Sequence, residues 1–122
     1  MRILTHNTLR CNAKDVVHGY PLQLNVESME VRETEMNEDF IRHIIPTLNW
    51  TAVLVAAEAV GLQGLPLEPV PELLSDASFL QAVHRLLLDV HILEGTMVCP
   101  ESGRTFLIKD GVPNMMIPES QV

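Results

Sequence analysis

The spacing of hydrophobic residues changes twice along this chain of 122 residues, and that change limits the folds open to it. Leu22, Leu24 and Val26 alternate with polar residues, which is typical of a half-buried β-strand. Residues 37–90 instead carry apolar residues at helical spacing, and residues 91–98 are strand-like again. The sequence therefore predicts an α+β protein in which both chain ends form one small antiparallel sheet.

This order of elements predicts two parts. Residues 1–34 together with 92–122 are expected to form the β domain, and residues 35–91 an inserted helical domain of about three helices. The strand that begins near Leu22 either continues through Val31 or bends near Ser28 into a second strand. The pattern of the first ten residues leaves their state open between a short helix and an extended arm.

Polar residues that can cap helices precede the helical segments. Asn37 and Asn49 stand where a side chain can accept hydrogen bonds from the first turn of a helix, and Ser75 or Asp76 can cap the third helix. Pro46 is expected to end the first helix or to force a corner. The apolar stripe of the third helix is expected to comprise Phe79, Leu80, Val83, Leu86, Leu87 and Val90, with His84 at a partly exposed position. Prolines at positions 66, 69 and 71 predict an extended connector before it.

A β-hairpin is predicted close to the end of the sequence. Residues 105–108 form an apolar run, and Asp110-Gly111 follows it as a strong turn signal. Val112-Pro113 restricts the second arm, since proline cannot donate a hydrogen bond and is confined to edges or strand starts. The pattern leaves open whether the apolar residues of residues 111–117, together with Met97, belong to the core or to an interface.

Residues 99–103, Cys-Pro-Glu-Ser-Gly, have the outline of a zinc knuckle in which Ser102 replaces the second cysteine. Cys11 lies far upstream, and His18 is the nearest possible third ligand. A structural zinc site needs four ligands, and a neutral hydroxyl is a very poor one. We therefore expect a degenerate site around Cys11, Cys99 and Ser102 that folds without metal.

The sequence contains no recognisable catalytic constellation. None of the five histidines accompanies a nucleophile and an orienting group, and no glycine-rich phosphate loop is present. The formal net charge of −8 argues against free-standing nucleic-acid binding, which needs a basic footprint. Two distant cysteines and the lack of an apolar leader indicate a reducing compartment, so cytoplasm and nucleus are expected.

Motifs along nearly the whole chain resemble one known family. They are Met1-Arg-Ile-Leu-Thr-His-Asn7, Phe40 through Ala52, His84-Arg-Leu-Leu-Leu88, Glu94-Gly95-Thr96, Cys99-Pro-Glu-Ser-Gly103 and Asp110-Gly-Val-Pro-Asn-Met-Met116. The chain is similar to the small activating subunit shared by several eukaryotic methyltransferases, the multifunctional methyltransferase subunit family. The resemblance implies a zinc-ribbon-like domain made by both chain ends, with an inserted helical domain. This chain departs from the family's four-cysteine members, which makes zinc unlikely here.

The family resemblance also implies a function. It implies a non-catalytic subunit that activates and stabilises class I S-adenosylmethionine-dependent methyltransferases as a heterodimer. These enzymes modify tRNA, small-subunit rRNA (a step of ribosome biogenesis) and a translation release factor. The partner binds S-adenosylmethionine, this chain binds no cofactor, and RNA is met only through the complex.

The resemblance further implies which residues contact the catalytic partner. Sheet-edge pairing and a hydrophobic face are expected, at Thr5, Asn7, Gly111, Val112, Pro113, Asn114, Met115, Met116 and Ile117. The alternative hypothesis is a stand-alone zinc-ribbon module that binds RNA, against which the excess of 16 acids over 8 bases speaks.

Overall fold

A computed structural model describes residues 1–117, and its centre is a four-stranded antiparallel sheet with strands in the order β1-β2-β3-β4. The strands are β1 (Gln23–Val31), β2 (Val90–Val98), β3 (Thr105–Lys109) and β4 (Val112–Pro113). β1 is one continuous strand that pairs with β2 along its whole length, with a bulge around Ser28 opposite Glu94. The alternating pattern thus correctly predicts a sheet made from both ends of the chain.

The first residues extend the sheet on the β3 side of β2, beside the residues of β2 that β3 does not pair. Arg2 forms an isolated antiparallel bridge with His91. The Met1 amino group donates to the carbonyl oxygens of Ile92 and Gly111, each at 2.7 Å. A short helix, α1 (Ile3–His6), follows and settles the state that the sequence left open.

Two of the predicted helices begin at the asparagines expected to cap them. α2 (Glu38–Ile44) has Asn37 as its N-cap, and α3 (Trp50–Ala59) has Asn49; each side chain accepts a hydrogen bond from the third residue beyond it. A 3-10 turn (Ile45–Thr47) contains Pro46 and joins the two helices. Pro46 therefore forms part of a corner, as its fixed φ and missing N–H favour.

The third helical segment ends earlier than predicted. A 3-10 turn (Pro71–Ser75) precedes α4 (Ala77–His84), whose N-cap is Asp76, and a π-helical turn (Arg85–Asp89) follows it. Val90 already belongs to β2, so its assignment to the helix was wrong. The π-helical turn lies between α4 and β2, where the chain passes from the helical part back to the sheet.

The expectation that His84 is partly exposed was also wrong, because its side chain is 4% exposed. Its Nε2 atom lies 3.0 Å from the Thr34 hydroxyl, which in turn donates to Asp89 Oδ1 at 2.7 Å. The Thr34 amide donates to the same carboxylate oxygen at 3.1 Å. Because these groups lie on α4, the π-helical turn and the segment after β1, the cluster ties the helical part to the sheet.

Sheet and helices share one hydrophobic core. The sheet contributes Leu24, Met97, Phe106 and Ile108, and the helices contribute Ile41, Val53, Leu80, Val83 and Leu87, all nearly inaccessible to water. Met97 therefore belongs to the core and not to an interface. The division into domains at residues 34 and 92 stays a prediction.

No single helix in residues 1–117 is both long and apolar enough to cross a membrane. One bent pair, Glu38–Thr47 with Trp50–Val60, meets that criterion by length and composition alone, and its members are bent by 115°.

Candidate functional site

The hairpin predicted from Asp110-Gly111 is present and ends the sheet. Asp110 and Gly111 both have positive φ, 53° and 78°, a conformation that glycine adopts without steric cost. β4 then pairs with β3 through Lys109 opposite Val112. The Asn114 amide donates to the Leu107 carbonyl at 2.9 Å, so the pairing extends one step beyond β4. The outer side of this arm is an edge of the sheet within residues 1–117.

Residues 111–117, the predicted contact residues that we call the docking segment, alternate in exposure. Val112, Asn114 and Met116 are exposed, and Met116 is 85% accessible. Met115 and Ile117 are half-buried and pack against the core. Neighbouring residues therefore differ: Met115 and Ile117 belong to the edge of the core, whereas Met116 is exposed.

Leu107 extends this exposed surface onto β3, and the sequence reasoning missed it. Its side chain is 61% exposed, and it shares the outer face of β3 with Thr105 and Lys109. Lys109 is directly opposite Val112, and paired residues of an antiparallel ladder project on the same side. The alternation of Phe106 and Ile108 with these residues was the signal that could have identified Leu107.

Thr5 and Asn7, the other predicted contact residues, differ in their surroundings. Thr5 is exposed at α1. Asn7 is buried, and its side-chain amide donates to the Asn49 carbonyl at 2.9 Å and accepts from the Asn49 amide at 3.2 Å. Asn7 thus fixes the end of α1 to the cap of α3. Its contact with a partner stays a prediction.

The N-terminal residues and the docking segment meet at the Met1 amino group, which bonds the Gly111 carbonyl as well as β2. A Cβ atom placed on Gly111 would lie 3.4 Å from the Met1 nitrogen, an ordinary contact, so the positive φ of 78° is what favours glycine here. The structure therefore joins the first residue of the chain, but not Thr5 or Asn7 directly, to the docking segment.

The degenerate knuckle, residues 99–104, lies at the other end of β3. Cys99 and Cys11 are free and buried, and the segments that carry them face each other as predicted. The Ser102 amide donates to the Cys99 sulfur at 3.3 Å, and the Gly103 amide to the Cys99 carbonyl at 3.0 Å. The loop keeps the turn of a metal knuckle through its own backbone hydrogen bonds.

The N-terminal loop is held against this knuckle by Glu101. Its carboxylate accepts from the His18 amide at 3.0 Å and from the Val17 amide at 3.1 Å. Gly19 packs so closely on Cys11 that an added Cβ would lie 2.4 Å from the Cys11 carbonyl oxygen. These contacts bring together the two cysteines that are 88 positions apart in the sequence.

The donors at the knuckle do not fit a structural zinc ion. Such a site takes four thiolate or imidazole ligands in a tetrahedron. Here the sequence supplies two thiols and the hydroxyl of Ser102, and residues 1–117 contain no group of three or more His, Cys, Asp or Glu side chains arranged to hold a metal ion. We therefore assign no metal chemistry to these residues.

The Thr34–His84–Asp89 cluster resembles a catalytic triad only in composition. In such a triad a carboxylate orients the histidine through its other ring nitrogen. Here Asp89 accepts the hydrogen bond of the Thr34 hydroxyl directly, and His84 Nδ1 is buried with no hydrogen-bond partner among residues 1–117. Since the hydroxyl proton is already donated to a carboxylate, this arrangement fits a structural role.

The fold and the docking segment define a class of protein: a small α+β chain whose two ends build one sheet with an apolar, exposed edge. A family model described as Trm112p-like protein matches residues 2–111. The chain therefore belongs to the Trm112p-like family, as the terminal motifs predicted.

Curated relatives agree with this assignment over their full length. The chain is 42% identical over 125 residues to the multifunctional methyltransferase subunit TRM112 homolog A of Arabidopsis thaliana, with 100% of both chains covered. It is 41% identical over 122 residues to the TRM112-like protein of Bos taurus, covering 99% of this chain and 98% of the relative. Identity to the TRM112 subunit of Saccharomyces cerevisiae is 34% over 131 residues, with 97% of each covered.

A solved structure confirms the fold. It is the E. cuniculi Mtq2–Trm112 complex, described as responsible for the methylation of the eRF1 translation termination factor. The match has a TM-score of 0.66 at 14% identity and covers 95% of this chain and 95% of that chain. The α+β prediction of a small antiparallel sheet with helices is thus confirmed.

Proposed function

We propose that this chain is a non-catalytic subunit that activates and stabilises class I S-adenosylmethionine-dependent methyltransferases. The proposed substrates of the heterodimers are tRNA, small-subunit rRNA and a translation release factor, and the proposed location is cytoplasm and nucleus. The observation that carries the proposal is family membership together with an exposed apolar sheet edge at residues 111–117.

The docking segment supplies the chemistry that such a subunit needs. Met116, Val112 and Leu107 are 85%, 65% and 61% exposed, on neighbouring strands or their extension. An apolar edge of this kind is an aggregation hazard unless another chain covers it. A partner that adds its own strand gains main-chain hydrogen bonds from the edge and specificity from the side chains.

In the proposed heterodimer, the catalytic partner binds S-adenosylmethionine and contains the reacting groups. Covering an apolar face of the catalytic subunit stabilises that subunit by mass action, since the activator binds its folded form. This chain's contribution is therefore to hold the partner soluble and folded, and RNA is contacted through the assembled complex.

Co-expression tests the proposal directly. We expect the Mtq2-like catalytic subunit of the same organism to be soluble, and to transfer methyl groups from S-adenosylmethionine, when this chain is present. The purified chain alone should transfer none. A catalytic subunit that is equally soluble and active without this chain would contradict the proposal.

A matched pair of variants tests the docking surface within that experiment. Met116→Lys should reduce binding of the catalytic subunit by about 2 kcal/mol, as expected for a buried apolar anchor. Leu67→Lys is the control, because Leu67 is 84% exposed on the connector and its substitution should leave both fold and binding unchanged. Equal affinities of the two variants would move the interface away from Met116.

A further inference from the structure

The edge of the sheet opposite the docking segment is also open. β1 lies at one end of the strand order and β4 at the other, and no strand pairs with the outer side of β1 within residues 1–117. The first part of β1 is covered, since Leu24 is buried and Val26 half-buried. Residues 27–31 are instead exposed one after another. The second half of β1 is therefore accessible along its outer edge.

The hydrogen bonding at the end of β1 shows which backbone groups face that edge. Arg32, the residue after β1, donates its amide to the Asp89 carbonyl at 2.8 Å, so these two residues form a bonded pair that continues the ladder. Bonded and non-bonded pairs alternate along antiparallel strands. Val31 and Val90, the next pair, are therefore non-bonded. The N–H and C=O groups of Val31 point away from β2, toward the open edge.

Met29 has the same orientation as Val31. It lies opposite Ile92, two positions along the same register. The Ile92 amide donates to the Met1 carbonyl at 2.7 Å, on the far side of β2, which agrees with a non-bonded pair at this position. In residues 1–117, the backbones of Met29 and Val31 form no hydrogen bond outside the ladder. These two residues therefore present two donors and two acceptors to a further strand.

The side chains at the two outward positions are apolar. Met29 and Val31 are 43% and 41% exposed. They lie on the same face of the sheet as Ile92 and Val90, because paired residues of a ladder project on the same side. Ile92 and Val90 are buried. One face of the open edge therefore offers an apolar strip that continues the core outward.

The charge along this edge is strongly negative. Residues 27–39 contain six carboxylates and one arginine, a net charge of −5 in a chain whose formal net charge is −8. That arginine, Arg32, is already paired with Glu30 at 2.9 Å. Three exposed carboxylates form no ion pair within residues 1–117, those of Glu27, Glu33 and Glu35. The open edge is thus flanked by carboxylates that have no cation of their own.

We propose that the outer edge of β1 binds an extended segment of another protein, rich in lysine or arginine, which pairs with residues 27–31 as a fifth strand. The segment bonds the outward backbone groups of Met29 and Val31, and its apolar residues cover their side chains. Its basic residues face the unpaired carboxylates, which steer and orient it. Since β1 and β4 are opposite edges, this binding is separate from the proposed docking of the catalytic subunit.

Charge disfavours a second copy of this chain as the occupant. Two β1 edges in contact would bring the carboxylates of both copies together, and like charges on paired strands are destabilising. A bulge at Ser28 and acidic side chains are also features that keep an edge strand from pairing with its own kind. Arg2 does not offset them, because it bridges His91 on the side of β2 away from β1. A basic segment removes the repulsion.

Titration of the full-length chain with a model peptide tests the proposal. The probe is a capped peptide of about eight residues in which lysine and valine alternate, a typical strand length. NMR of the isotope-labelled chain at low salt should show the largest amide shifts at residues 27–33, and the amides of Met29 and Val31 should become protected from hydrogen exchange. Added salt should weaken binding, because it screens the charges. A glutamate–valine peptide should not bind.

Two matched pairs of variants separate backbone pairing from charge. Val31→Pro removes an outward N–H but no bond to β2, and should weaken peptide binding roughly tenfold more than Val31→Ala, which keeps that N–H. Glu27→Lys combined with Glu33→Lys should weaken binding roughly tenfold or more. The control is Glu58→Lys combined with Glu68→Lys, which changes the net charge equally at exposed residues of α3 and the connector and should weaken binding only about twofold.

Three results would overturn the proposal. The first is no binding of the lysine–valine peptide to the wild-type chain at low salt. The second is a set of amide shifts confined to residues 107–117, which would assign the peptide to the docking segment. The third is equal affinity for a lysine–proline peptide, which has the same charge but lacks every second amide and so cannot pair as a strand.

Discussion

Strand β3 has a loop at each end, and the two loops differ in how their polar and apolar groups are accommodated. At one end, residues 99–104 turn inward: the Ser102 and Gly103 amides bond Cys99, and Glu101 bonds the facing loop. At the other end, the docking segment turns on Gly111 and leaves Val112 and Met116 in water. The polar groups of the first loop are bonded within the chain, whereas the second loop leaves apolar side chains exposed within residues 1–117, and this is the surface proposed for the partner.

The comparison shows that one strand, β3, can carry a self-contained loop at one end and an exposed apolar segment at the other. A loop that has lost metal ligands keeps its shape because its polar groups find partners within the chain. The docking segment, which we propose for recognition, keeps apolar side chains exposed, and alternate residues of it pack against the core. The following substitutions should separate the two roles.

Phe106→Ala should have the largest effect and damage both loops. Phe106 is 2% exposed in β3 and lies opposite Met97 in the ladder. Loss of a buried aromatic side chain with a cavity left behind costs about 3–5 kcal/mol of unfolding free energy. Urea denaturation measures this loss, and Leu107→Ala on the exposed side of the same strand is the control. Equal losses for the two variants would contradict the assigned faces of β3.

Met115→Lys should cost about 2 kcal/mol of stability, because a charged group replaces a half-buried side chain that packs on the core. Met116→Lys should leave stability unchanged within about 0.5 kcal/mol, because this neighbour is already exposed. Thermal denaturation of the two variants provides the measurement. If Met116→Lys proves the more destabilising, the alternation along the docking segment is incorrect.

Glutamate substitutions at the two loops should give the smallest effects. Glu101→Ala removes an acceptor for two amides, and we expect a loss of about 1 kcal/mol because these groups are exposed to competing water. Glu94→Ala removes one bond of 3.3 Å to the Asp110 amide, and the loss should be smaller still. Chemical denaturation compares them; a larger loss for Glu94→Ala would mean that the docking turn depends on side-chain support more than the knuckle does.

The order of the elements could be predicted from the sequence because hydrophobic period and helix caps are local signals. Asn37, Asn49 and Asp110-Gly111 each specify a backbone conformation within a few residues, and the structure has them as predicted. The end of α4 could not be predicted in this way. Leu86, Leu87 and Val90 continue the apolar stripe, but the π-helical turn and the pairing of β2 depend on tertiary contacts.

The docking surface was predictable only in part. The family motifs identified residues 111–117, but periodicity alone could not assign Met115 to the core and Met116 to the surface. That assignment depends on where β4 pairs with β3. Asn7 shows the same limit, since its amide bonds to a residue 42 positions away that no local pattern indicates. Burial of His84 likewise depends on Thr34 and Asp89.

The bond between Met1 and Gly111 has a consequence for the timing of biosynthesis. Its two residues are separated by 110 positions. The bond of the first residue can therefore form only after Gly111 has been synthesised. A ribosome must therefore release most of the chain before the sheet can close, and pairings of such long sequence separation form late. The edge proposed for the partner is consequently absent from shorter nascent chains, so the proposed binding of a catalytic subunit there requires synthesis beyond Gly111.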